Sequence, residues 1–238
     1  THSWRDVLPE LLPDCEVLAF DLPGQGFSRG HAERFTLPRM SEDIRALLAV
    51  EDFSPDVIVG HSAGAAIGLR MVADRTLPCD MVVALNGALT GFRGAAGLVF
   101  PAMAKMLAIN PLAGLIFSRL AAAPGAVRRL IDGTGSVIDA RGLALYNRLI
   151  SDAGHVSATL GMMARWELEP LRKDFGRIDA RVLLTAGNND RMVPAEDAVS
   201  TAELIPSASW RRFAGLGHLM HEEEPEIFAD LITGLSGS

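Results

Sequence analysis

Cysteine is nearly absent: among 238 residues only Cys15 and Cys79 occur. Two thiols build neither a disulfide framework nor a cysteine-rich zinc site, and they suit a reducing cytoplasm. Long apolar runs are missing as well. The longest stretches free of Asp, Glu, Lys and Arg are Val57 to Leu69 and Met106 to Ser118, at 13 residues each, short of the roughly 18 that a membrane span needs. Positive charge is not in excess: 22 Lys+Arg against 29 Asp+Glu give −7, which removes the attraction that non-specific nucleic-acid binding depends on. Tyrosine occurs once, at Tyr146. The start, Thr1-His2-Ser3-Trp4, carries neither an initiator Met nor a basic, apolar leader, so we expect no signal peptide in this stretch and a further segment upstream.

What is present describes a globular chain. Hydrophobic residues make up 49% and charged residues 21%, enough apolar side chain to fill one sizeable core and too much for an extended disordered region. Short aliphatic runs alternate with helical patterns, which predicts an α/β fold with a mostly parallel sheet flanked by helices. Expected strands are Glu16 to Phe20, Val57 to Val59, Met81 to Leu85, Arg181 to Thr185 and, more weakly, Ser209 to Phe213. A helix with apolar residues at Met40, Ile44, Leu47 and Leu48 falls between the first two. From about 90 to 178 the alternation stops and the pattern is helical throughout. Residues 1–89 and 179–238 therefore read as the core, and 90–178 as a helical cap inserted after the third of these strands.

The first half of that cap is biased. No Asp or Glu occurs from Met81 to Ile131, whereas Arg93, Lys105, Arg119, Arg128 and Arg129 are basic. Phe100, Met103 and Met106 lie among many Leu, Ala and Ile residues. A small subdomain packing its own core is one reading. The sharper one is a lid whose apolar face, with Asn86 and these residues, covers a hydrophobic pocket, Arg93 and Lys105 being available to an acidic substituent or an anionic membrane surface.

Gly60-His61-Ser62-Ala63-Gly64 matches G-x-S-x-G, a pattern expected by chance about 0.13 times in a chain with 23 Gly and 14 Ser. Context strengthens it: a strand precedes and a helix of small residues follows, the setting of a nucleophile elbow. The glycines at 60 and 64 are expected to make room for the turn, and the Ala63 amide to face a developing oxyanion. Serine needs a base, and His218 follows the last strand after Gly215-Leu216-Gly217. His221 competes, three residues on and followed by Glu222-Glu223-Glu224; we read these as solvated charges at a helix start rather than a metal site. His61 is expected to be structural. Asp190, in Gly187-Asn188-Asn189-Asp190, supplies the acid that fixes the imidazole tautomer, although an Asx-turn residue is the plainer alternative. No metal or organic cofactor is called for.

These residues resemble the α/β-hydrolase superfamily from end to end: Asp21-Leu22-Pro23-Gly24-Gln25-Gly26-Phe27-Ser28, the Ser62 elbow, the Asp190 loop, and Gly217-His218 followed by Glu224-Pro225-Glu226. The order Ser62, Asp190, His218 is that superfamily's. At the entry to the cap and within it, Leu85-Asn86-Gly87-Ala88-Leu89, Asn110-Pro111-Leu112, Gly133-Thr134-Gly135-Ser136, Gly154-His155-Val156 and Met162 through Leu171 resemble the BchO-type hydrolases, the magnesium-chelatase accessory proteins of bacteriochlorophyll biosynthesis. The resemblance implies a phototrophic bacterium, a bulky apolar substrate such as a porphyrin or chlorin, and an association with magnesium chelatase. It implies a carboxylesterase-like hydrolase; a C–C bond hydrolase and a non-catalytic tetrapyrrole carrier are the alternatives. Ser at the elbow and a single tyrosine disfavour epoxide-hydrolase chemistry. Such hydrolases also place a His-Gly turn, bearing the second oxyanion donor, after a strand upstream of the segment matching Thr1 to Trp4. The expectation is a strand between Glu16–Phe20 and Val57–Val59, supplied by roughly 30–50 further residues before Thr1.

Overall fold

The computed structural model describes residues 1–91, 115, 116, 119 and 123–236. After two short N-terminal turns, one of them α1 (Leu8–Leu11), helix α2 (Leu37–Val50) begins at a proline and turns Met40, Ile44 and Leu48 inward at helical spacing. Strand β1 (Val57–His61) leads through Ser62 into α3 (Ala63–Ala73), and β2 (Met81–Leu85) follows. Beyond it come α4 (Ala126–Gly133), α5 (Ala140–Ile150), α6 (Ala153–Arg165) and α7 (Glu169–Asp174). The chain then returns to β3 (Arg181–Gly187), α8 (Ala195–Ala202), β4 (Ala208–Phe213), α9 (Met220–Glu223) and α10 (Pro225–Ser236).

The four strands pair in the order β1-β2-β3-β4, all parallel, with Val57 opposite Met81, Met81 opposite Arg181, and Val182 opposite Ala208. Parallel sheets need cover on both faces, and the strand period of two divides the core accordingly. Val82, Ala84, Val182 and Leu184 pack under α2 and α3, while Met81, Val83, Leu85 and Leu183 meet Phe213, Met220 and Phe228 on the other side. Small residues bring α3 close to the sheet: a Cβ on Gly68 would stand 2.9 Å from Ile58 Cγ2.

Glu16 to Phe20 does not form the expected strand. A cavity of about 1040 Å³ is lined by this segment and by β1, with Leu11, Ile67, Met71 and Ile232 also on its wall. No ladder forms across it, so the segment has no partner to make it a strand. Counted by observed strands, the helical stretch therefore follows the second one. Among the described residues no helix is long and apolar enough to cross a membrane.

Candidate active site

Ser62 sits at the end of β1 with φ 51° and ψ −114°, a left-handed backbone forced by the immediate passage from strand to helix. Its amide donates to the Leu85 carbonyl at 3.0 Å, and its carbonyl accepts from Ala88 at 3.0 Å, which fixes the turn to the end of β2. Gly60 is required here, since a Cβ would stand 2.5 Å from the backbone of Gly64 and Ala65. Gly64 is not: a Cβ there meets nothing within 4 Å, contrary to the expectation that both glycines make room. Ala63 is the first residue of α3, where backbone amides have no partner within the helix.

Asp190 and His218 come together. His218 Nδ1 lies 2.8 Å from Asp190 Oδ2, and the Asp190 side chain is fully buried. The other carboxylate oxygen accepts from the amides of Met192 at 2.7 Å and Val193 at 2.9 Å. One oxygen thus shapes the loop, as the Asx-turn reading expects, while the other meets the imidazole. Ser62, Asp190 and His218 all project from the carboxyl ends of parallel strands, the edge at which open α/β sheets bind ligands. No hydrogen bond joins Ser62 Oγ to His218 among the described residues. The cavity beside β1 reaches Ser62 and Ala63, where Gln25, Phe27, Leu149, His155 and Met162 also border it. Leu149, His155 and Met162 come from α5 and α6, in the expected cap. His155 Nδ1 accepts from the Gly26 amide at 3.2 Å, joining α6 to the loop after Asp21.

Asn86 is not placed as a substrate contact. It is 1% exposed at φ 44°, with Oδ1 accepting from the Gly187 amide at 2.8 Å and Nδ2 donating to the Gly217 and His218 carbonyls at 2.9 Å each. An amide carries both donors and acceptor, so one side chain ties the ends of β2 and β3 to the histidine loop. Arg93, Phe100, Met103, Lys105 and Met106 lie outside the described residues.

His221 and Glu222 are not solvated helix-start charges, as the sequence suggested, but are 0% and 7% exposed. Glu222 pairs with Arg5 at 2.5 Å and accepts from Tyr146 at 2.6 Å and Ser3 at 3.0 Å. His221 Nε2 lies 2.6 Å from Ser3 Oγ, while its Nδ1 has no partner. Since Ser3 gives its proton to Glu222, His221 is the neutral Nε2–H tautomer donating to Ser3. Burial, aided by the neighbouring His218, pushes its pKa down to about 3. His61, half-buried, is likewise held well below its usual range by desolvation and by the neighbouring His221. Its Nε2 donates to the His218 carbonyl at 2.8 Å, which ties the end of β1 to the histidine loop. No group of three or more metal-ligating side chains occurs among the described residues.

The sign of the resulting pH dependence follows. An imidazole kept neutral in the native state costs nothing above pH 6.5, the unfolded value; below it the unfolded chain takes up the proton alone and stability falls. His221 should contribute a loss of about 1.4 kcal/mol per pH unit on acidification below that value. Urea denaturation at stepwise pH from 7 to 5 should show it, with a shallower slope in His221→Gln. Equal slopes would mean that His221 is protonated in the native protein.

A family model described as alpha/beta hydrolase fold matches residues 1–225. The chain belongs to the alpha/beta hydrolase family. It is 43% identical over 235 residues to the magnesium-chelatase 30 kDa subunit of Rhodobacter capsulatus, covering 98% of this chain and 80% of that protein, which makes it an α/β-hydrolase of the BchO type. It is 26% identical to the 2-hydroxy-6-oxo-6-(2'-aminophenyl)hexa-2,4-dienoic acid hydrolase of Metapseudomonas resinovorans, covering 96% of this chain and 76% of that one. Among solved structures, the epoxide hydrolase CorEH superposes with a TM-score of 0.82 at 20% identity, covering 99% of this chain and 87% of its own. The esterase EaEST from Exiguobacterium antarcticum gives 0.79 at 18% identity with the same coverage. At such identities these two show the fold alone. The hydrolase fold accounts for why Asp190 and His218 meet at the sheet edge where Ser62 also stands: each strand of a parallel sheet delivers its C-terminal loop to the same side.

Proposed function

We propose that this α/β-hydrolase is a serine esterase that cleaves an ester or related acyl bond of a bulky, apolar substrate of the tetrapyrrole class, in a role linked to magnesium chelation during bacteriochlorophyll synthesis. The observation that carries the hydrolase part is the His218–Asp190 pair at 2.8 Å, set at the same edge as the strained Ser62 elbow. The pathway part rests on the magnesium-chelatase subunit with 43% identity.

In this reading Ser62 Oγ attacks the acyl carbon while its proton passes to His218 Nε2, and Asp190, bonded to Nδ1, stabilises the imidazolium. The oxygen that becomes negative is met by the Ala63 amide at the positive end of α3. The alcohol leaves with the proton from His218, and a water activated by the same imidazole releases the acid. An activated phosphonate tests the chemistry: Ser62 should be labelled stoichiometrically, and His218→Ala should abolish the reaction. An unlabelled wild-type protein would point instead to a tetrapyrrole carrier on a hydrolase scaffold.

The substrate class has its own test. A porphyrin with free propionates should quench saturably on addition of protein, because ring burial supplies affinity and a cap cation such as Arg93, Lys105 or Arg119 pairs with a carboxylate. Deleting residues 95–130 in a folded protein should abolish the quenching. Binding that survives the deletion would make the cap a packed subdomain and nothing more.

A further inference from the structure

One motif of the sequence has no part in the mechanism above: Gly133-Thr134-Gly135-Ser136, between α4 and α5. It lies where the acid loop and the histidine loop meet. The Thr134 carbonyl accepts from the backbone amides of Arg191 at 3.2 Å and His218 at 3.4 Å. Ser136, 1% exposed, accepts at Oγ from the Leu219 amide at 2.8 Å. Gly135, at φ 84°, is pressed so closely on the acid loop that a Cβ would stand 1.8 Å from the Asn189 carbonyl oxygen. Gly217 backs onto the same turn, its own missing Cβ falling 2.4 Å from the Gly135 carbonyl. The turn therefore touches the residues on both sides of Asp190 and of His218.

From the opposite side, the His218 carbonyl is held by Asn86 and His61, which belong to the sheet core. The hydrogen-bonding brackets differ in origin: one is built from the ends of β1 and β2, the other from the inserted helical stretch. The loops leaving β3 and β4 are already bonded to each other, the Asn189 amide donating to the Leu216 carbonyl and its side chain to the Gly215 carbonyl at 2.8 Å each, and a displacement of about 1 Å at a reacting group costs on the order of 10²-fold in rate. A third segment bonded to both loops fixes the joined pair against the inserted helices. We propose that the Thr134–Gly135–Ser136 turn is a positioning element that sets the geometry of the His218–Asp190 pair and couples the inserted helices to it. The proposal deepens the serine-hydrolase reading and rests on it. The turn touches no substrate in this scheme; it acts through the two loops.

Three variants of the full chain test it, each checked for folding by thermal melt. Ser136→Ala should lower kcat for an activated ester by about tenfold or more while KM stays within about twofold. In protein carrying ¹⁵N-labelled histidine, the downfield Nδ1 proton of His218 should shift or broaden in the same variant. Gly135→Ala, which must push Asn189 aside, should lose about 10²-fold. Ser151→Ala, whose hydroxyl bonds only to the Asn147 carbonyl at 2.7 Å elsewhere in the insertion, should leave both readouts unchanged. If Gly135→Ala does not fold, Ser136→Ala decides, since it removes one oxygen and adds no bulk. Absence of turnover and of phosphonate labelling in the wild type would overturn the hydrolase reading, while the His218 resonance would still report on the turn. A folded Ser136→Ala protein with wild-type kcat and an unmoved resonance would overturn the positioning role.

Discussion

Asp190→Asn should leave the protein folded and lower ester turnover by about 10⁴-fold. The asparagine keeps an oxygen for the Met192 and Val193 amides, so the loop retains its shape. Its NH₂ group then faces His218 Nδ1, which must turn acceptor, and the proton moves to Nε2 where Ser62 needs an acceptor. Loss of the nucleophile or base is more severe: Ser62→Ala and His218→Ala should each cost on the order of 10⁶-fold in kcat, and the double variant little more, because the residues act as one unit. Stopped assays with a p-nitrophenyl ester, alongside circular dichroism to confirm folding, make the comparison. Undiminished turnover in Ser62→Ala would move the nucleophile elsewhere.

The parts of this molecule that were legible in its sequence are those determined locally. Met81 to Leu85 is apolar throughout and becomes a central strand buried along its whole length. Met40, Ile44 and Leu48 recur at helical spacing and face the core. The elbow announces itself through Gly60, whose Cβ would collide with backbone only a few residues ahead. Asp190 and His218 were found because each follows a recognisable strand by a few residues, and a parallel sheet sends such loops to one side.

What could not be read depends on partners far away in the chain. Glu16 to Phe20 has the composition of a strand, but a strand is a relation between two segments, and no ladder forms beside this one. Glu222 reads as a surface acid until Arg5, Ser3 and Tyr146 arrive from 217, 219 and 76 positions away. Asn86, expected with the cap residues to border a substrate, is instead a clamp; nothing local shows that three backbone groups already occupy its amide. The Thr134–Ser136 turn was noticed only as a family likeness, since its function lies in tertiary contacts with two other loops.

Asn86 supplies the other large effect, on stability and activity together. Asn86→Ala removes the acceptor of the buried Gly187 amide and the donor to the Gly217 and His218 carbonyls. An unsatisfied buried group costs roughly 1–3 kcal/mol, and a Cβ without a polar head at positive φ adds about 1 kcal/mol that asparagine partly avoids. The expected loss is therefore about 3 kcal/mol by urea denaturation, a large share of what holds a domain of this size together. Asn86→Gly should recover about 1 kcal/mol of it, because glycine tolerates the 44° φ while restoring no hydrogen bond. The activity of the two variants should not separate in the same way. Both free the His218 carbonyl from one of its two donors, leaving His61 alone, so both should lose roughly 10²-fold in kcat if the imidazole shifts by about 1 Å. Equal stability for the alanine and glycine variants would place the cost wholly in the hydrogen bonds, and a stable, fully active Asn86→Ala protein would show that the three strand ends hold their places without the clamp.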